Sequence, residues 1–216
     1  METTFKPIAV ISGDIVDSTK LNSAQFEQLL KRIKDIQEWI TKRNPASAHS
    51  IERGDEFQTV VRDIKTALSY TIIYRVGIKA LGKEFDSRIS FAIASNADLR
   101  ESVSESMGEA FVLSGRGLKA LKSYRLAFSS DHLELNKHFD LLFKYLDRQL
   151  TDLTSRQCEV MLTMLQADED LTISELAEKL DIATATASKS LKASGWQLIF
   201  EQNFQFIKKL EELKYV

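Results

Sequence analysis

The sequence predicts an α+β fold in two parts: a ferredoxin-like N-terminal domain over residues 1–150, then an all-α helix-turn-helix domain over residues 151–216. Three observations carry this expectation. Short runs rich in β-branched residues alternate with long amphipathic stretches in the first part. The second part shows helical spacing throughout, including a stretch with helix-turn-helix spacing. The composition, 44% hydrophobic and 28% charged, is that of an ordinary globular chain, and 2 Pro with 8 Gly leave little room for flexible linkers.

Phe5 to Ser12 is an apolar run that reads as a buried strand, followed by a turn from Gly13 to Thr19. Asn22 or Ser23 caps the next helix, with Gln25 placed for a capping box. Phe26, Leu29, Leu30, Ile33, Ile36 and Ile40 then recur at helical spacing, up to the stop at Asn44-Pro45. Ser50 to Val61 reads as two strands around a turn at Gly54-Asp55. Asp63 to about Leu81 is a second amphipathic helix. Ser87 to Ala94 alternates, with Ile89, Phe91 and Ile93 on one side, and so predicts a half-buried strand. Gly108 to Lys122 reads as a helix and Tyr124 to Ser129 as a strand. The order β-α-β-β-α-β-α-β suits a sheet with its helices on one face.

Leu133 to Leu150 is helical, and the domain boundary is placed near Thr151. Helices are expected at Thr154–Leu165, Ile173–Leu180, Thr184–Ala193 and Leu198–Leu213. Thr172 to Leu191 has helix-turn-helix spacing, with Leu176, Ala177, Leu180, Ile182 and Leu191 as its anchors. No internal repeat or low-complexity segment interrupts the chain.

No apolar run approaches the ~20 residues that cross a bilayer, and the first residues lack the basic start and apolar core of a signal peptide. With a single cysteine, Cys158, no internal disulfide can form, which suits a reducing cytoplasm. Cys158 reads as a small apolar helix residue. His49, His132 and His138 are far apart and have no zinc-ligand spacing. The net charge of -2 is unevenly spread: residues 151–216 carry seven Lys/Arg against eleven Asp/Glu.

Asp14 closes the first strand and Asp55 sits at the hairpin tip, so neighbouring strands would bring both carboxylates to one sheet edge. Mg²⁺ or Mn²⁺ bound by one or two carboxylates and a phosphate is the chemistry such a pair suits. Backbone amides from Ser18 to Leu21, Thr19 among them, would then face the phosphates. The plainer alternative is that both aspartates stabilise turns.

Gly13-Asp-Ile-Val-Asp-Ser18, with Arg53-Gly-Asp-Glu-Phe-Gln58 after the first helix and Leu153-Thr-Ser-Arg-Gln157 opening the last part, resembles the bacterial SatD family over nearly the whole chain. The N-terminal part also resembles class III nucleotidyl cyclases and, more distantly, GGDEF domains. That resemblance implies a cyclase-like fold and a metal site at Asp14 and Asp55. It also implies a nucleotide site drawing on Ser18, Thr19 and Glu56. Gly108 to Arg116 resembles the cyclase helix that carries a transition-state Asn and Arg. Arg116 matches the Arg, but Val112 stands at the Asn position. Ile51 stands where a purine-reading Lys would be, and Asp17 replaces the phosphate-loop Gly. Losing one preorganised transition-state donor costs about 10²–10³ in rate, so these departures weigh against catalysis.

In the last part, Thr184, Thr186, Ser188, Lys189 and Lys192 are the exposed candidates on the recognition helix. Small hydroxyls reach base edges or phosphates, and lysines suit phosphates. Thr184 to Gln197 holds two Lys and no acid. The final helix has an apolar stripe that includes Phe204 and Phe206, which either covers its own module or forms a homodimer seam. The leading expectation is a DNA-binding transcription regulator with a metal- or nucleotide-sensing domain. A metal-dependent cyclase or hydrolase is the alternative, and a degenerate scaffold for a protein partner is the third.

Overall fold

The computed structural model describes residues 6–52, 54–95 and 97–215. Phe5, expected to open the first strand, and Arg53, part of the hairpin motif, lie outside the described residues.

The chain begins with β1 (Ile8–Ile15), α1 (Ser23–Arg43), β2 (Ala48–Glu52), β3 (Glu56–Val61), α2 (Ala67–Lys79) and β4 (Ser87–Ala94). A two-residue pair follows, β5 (Ala97–Asp98) with β6 (Met107–Gly108), then α3 (Glu109–Ala120), β7 (Leu126–Ser130) and α4 (Leu133–Asp152). Four helices complete it: α5 (Ser155–Gln166), α6 (Ile173–Lys179), α7 (Thr184–Ala193) and α8 (Trp196–Glu212). The main sheet has the order β2-β3-β1-β4-β7, with β7 parallel to β4 and the other neighbours antiparallel. Its first four strands follow the β-α-β-β-α-β plan, and β7 extends the edge.

Local chemistry explains most boundaries. Asn22 accepts from the Gln25 amide at 2.9 Å while Gln25 returns the bond, a full capping box at the start of α1. The same device opens α5 at Thr154 and α6 at Thr172. The hairpin turns at Gly54 (φ 83), where a side chain would be strained and would also strike the Phe26 ring of α1, 2.7 Å from the position of its Cβ. The final helix begins at Trp196, earlier than Leu198, because Gly195 in the left-handed region (φ 68) is the break.

Two expectations are corrected. The helices do not all lie on one face: α3 packs against the opposite face of the sheet from α1 and α2, over β1, β4 and β7. For the same reason β4 is not half-buried. Ile89, Phe91 and Ile93 fill the core under α1 and α2, while Ser90, Ala92 and Ala94 are sealed by α3. Small residues on that face let α3 approach: a Cβ on Gly117 would lie 2.2 Å from Ser90 Oγ.

The second helix is also different in kind. Asp63 caps a short 3-10 turn, and α2 proper starts at Ala67 and is buried almost all round. Such a helix belongs inside a structure, and here α5 and α8 cover its outer side. One hydrophobic core therefore joins Ile11, Phe91 and Leu68 to Phe143 of α4, Met161 of α5 and Phe206 of α8. The rings of Phe91, Phe128, Phe139, Phe143 and Phe206 cluster with centroids 4.8–6.4 Å apart. Arg75 on α2 is 1% exposed and bonded to Asp86, to the Ser87 carbonyl at 2.6 Å and to Thr151 at 3.2 Å, tying the end of α4 to the sheet. Among the described residues no helix is long and apolar enough to cross a membrane.

Candidate functional site

The strand register sets out the face beneath α3 in rows. Glu52, Glu56, Asp14 and Arg88 stand side by side on β2, β3, β1 and β4. One step further in come Ser50, Gln58, Ser12 and Ser90, and then Ala48, Val60, Val10 and Ala92. The row sequence runs from charged to small polar to apolar, because this end of the sheet opens to solvent while the other is roofed. Where α3 leaves β2 and β3 uncovered, a cleft of about 300 Å³ forms. Asp14, Glu52, Glu56 and Arg88 line it from the sheet, and Gly115, Leu118 and Lys119 from α3. Its polar floor is braced: Gln58 donates to Ser12 Oγ at 3.0 Å, and Ser12 and Ser114 share a hydroxyl bond at 3.0 Å.

The two aspartates sit at the same end of the sheet, with the Ile15 amide donating to the Asp55 carbonyl at 3.1 Å. Their side chains take different environments. Asp14 lies in the cleft, ion-paired with Arg88. Asp55 is not among the cleft residues; its Oδ2 accepts from Ser18 Oγ at 2.8 Å and so fastens the hairpin tip to the loop after β1. That loop is a three-residue 3-10 turn entered through Asp17 in the left-handed region (φ 55). Its Lys20 and Leu21 amides bond back to Asp17 and Ser18, and Thr19 is exposed. The expected phosphate-facing amides at Lys20 and Leu21 are thus spent within the turn. Lys20 beside the exposed Asp17 carboxyl holds it below the usual carboxylate range.

A divalent cation fits this arrangement poorly. Asp14 already has the Arg88 guanidinium as its counter-ion, and a metal would have to displace it. Among the described residues no group of three or more His, Cys, Asp or Glu can hold a metal ion.

Glu56 lines the cleft, but Arg116 is exposed and stands outside it, one residue from lining Gly115. Ile51 packs against the core on the opposite face, so that position cannot read a ligand in the cleft. Arg88, Lys119, Glu52 and the hydroxyl row escaped the sequence reading. The two-residue alternation of β4 put Arg88 on the outward side, but only the strand order shows that it faces Asp14. His49 is linked to Thr41 and Thr59 at 3.0 Å each on the helix-covered side, and burial pulls its imidazole down to about 4. Burial pushes the Cys158 thiol up to about 12, as befits an inert packed residue.

A second candidate surface lies on α7. Val160, Leu176, Ala177, Ala187 and Leu191 form a small core that holds α5, α6 and α7 together. The link from α6 to α7 is a tight cap: Asp181 takes the left-handed region (φ 49) and Ile182 donates to the Ala177 carbonyl at 3.0 Å. Thr184, Thr186, Ser188, Lys189 and Lys192 are all exposed. With Ala187 and Leu191 turned inward, helical geometry centres Lys189 and Lys192 on the outward face. The acidic side chains of residues 151–216 lie elsewhere, at Asp152, Glu159 and Asp168–Asp170, on α6 and its turn, and on α8.

No family model matches the chain, so the SatD resemblance rests on its motifs alone. No curated protein matches either. Among solved structures, a bacterial light-regulated adenylyl cyclase is 16% identical over 57% of this chain and 75% of that one, with a TM-score of 0.40. The guanylyl cyclase Cya2 is 13% identical over 53% of this chain and 70% of that one, also at 0.40. At that level the likeness has no bearing on activity.

Proposed function

We propose that the chain is a DNA-binding regulator that contacts duplex DNA through α7, as a helix-turn-helix module, and takes a small ligand such as a nucleotide in the cleft beside α3. The observation that carries this reading is the outward face of α7: hydroxyls and two lysines, no acid, on a helix anchored by its own small core. A helix presented in this way suits a major groove, with lysines on phosphates and hydroxyls near base edges. The acidic balance of the whole region is a cost that segregation of the charges reduces.

Fluorescence anisotropy of labelled duplex DNA, titrated at several salt concentrations, tests it. Binding should weaken with salt, and Lys189→Ala and Lys192→Ala should each reduce the slope of log K against log salt by about 0.9 if each lysine meets one phosphate. Wild-type protein with no affinity for duplex DNA at low salt contradicts the reading.

One observation favours a second reading, a nucleotide-processing enzyme. The cleft gathers three carboxylates and two cationic side chains. Turnover of ATP or GTP with Mn²⁺, lost in Asp14→Asn, would establish it. The Asp14–Arg88 pair counts against it, because the first expected metal ligand is already neutralised.

A further inference from the structure

We infer that the outward face of α8 is a two-fold interface between two copies of this chain, with Phe204 at its centre. Phe200 and Phe204 are one turn apart and 62% and 55% exposed. Phe206, two residues on, is wholly buried in the central core, so the exposed pair is surplus to the packing of its own chain. The Phe200 ring lies 6.2 Å from that of Trp196, and both border a groove of about 480 Å³ floored by Ile72, Met164 and Ile199. Single exposed apolar residues are ordinary, but an aromatic pair beside a groove with an apolar floor marks a contact surface.

Charge identifies the occupant. The groove at the N-terminal end of α8 is rimmed by Asp168, which is paired with Arg43, and by Glu169 and Asp170, with Glu201 exposed one residue beyond Phe200. The C-terminal end is lysine-rich: Lys208 is exposed, and Lys65 and Lys209 engage Glu211 and Glu212 at 2.6 and 3.4 Å. One end is therefore acidic and the other is basic with its acids already paired. An interface made by one patch on both subunits must be self-complementary. Antiparallel pairing about Phe204 meets that demand. It sets Phe204 against its mate and Lys208 within a turn of the partner's Glu201, since these lie four residues after and three before the centre. Parallel pairing would set acid on acid, and a uniformly basic or acidic partner would suit only one end. The contact leaves α7 outside the seam and stands whether or not the chain binds DNA.

Sedimentation equilibrium of the full chain over a range of concentrations tests the proposal. Wild type is expected to reach twice the 24.5 kDa of one chain, and Phe204→Glu to remain at 24.5 kDa with an unchanged far-UV spectrum. Lys208→Glu should weaken association several-fold, and adding Glu201→Lys should restore it. That swap decides the matter even if Phe204→Glu does not fold. A wild type that stays monomeric at every concentration overturns the proposal. So does a folded Phe204→Glu that dimerises like wild type, or a swap that fails to restore what Lys208→Glu lost.

Discussion

His49 shows how a single side chain sets a pH dependence. Burial lowers its folded value to about 4 from 6.5. Between those values the unfolded chain binds a proton that the folded chain refuses. The unfolded state thus holds more protons in that window, so stability rises with pH across it. The contribution is complete above the unfolded value and is lost as pH falls from 6.5 toward 4. Thermal unfolding of wild type should show a melting temperature that drops over that range. His49→Gln should be less stable near neutrality, having lost one or both hydroxyl partners, yet should show a flatter profile. An equal slope in both proteins would mean that another group titrates. The residue that most changes the functional reading is Arg88. Asp14 was legible as a candidate from its place at the end of a strand, and it does line the cleft. Its counter-ion was not, because Arg88 is 74 positions away and meets it only through the β1–β4 register.

At the scale of elements the periodicities were reliable guides. The α1 capping box and the hairpin turn follow from local chemistry and are present as expected, and α7 runs over the expected Thr184–Ala193. What local pattern could not supply was the side of the sheet on which α3 sits. The alternation set Ser90 and Ala92 opposite Ile89, Phe91 and Ile93, on the side of β4 expected to face solvent. In the fold their smallness is what admits a helix. Gly117→Ala tests this: the new methyl meets Ser90 and should cost about 1–3 kcal/mol by overpacking. Ser90→Ala should relieve part of that cost in the double variant, since it removes the atom lying 2.2 Å away. Urea unfolding of the four proteins in the cycle measures the coupling. Additive changes would mean that α3 can shift without touching Ser90. The all-round burial of α2 was hidden for a similar reason, since its outer side is apolar for α5 and α8, which lie 76 or more residues later in the chain.

Across the whole molecule, the N-terminal sheet and the C-terminal helices share one core. The expected boundary near Thr151 falls within α4, and Thr151 itself receives bonds from Arg75 and Lys79, the latter at 2.7 Å to its carbonyl. A chain ending at residue 150 would expose α2, and is expected to aggregate or to lose its cooperative transition. In the full chain, Phe206→Ala should cost about 3–5 kcal/mol and lower a single transition seen equally by near-UV and far-UV signals. Two separate transitions would show that the parts fold independently. Whether α7 is the surface that meets duplex DNA is read from backbone amide shifts mapped on addition of a short duplex at low salt. Changes should concentrate over Thr184–Ala193 and fade as salt is added. Changes confined to the sheet cleft, or none at all, would contradict that assignment.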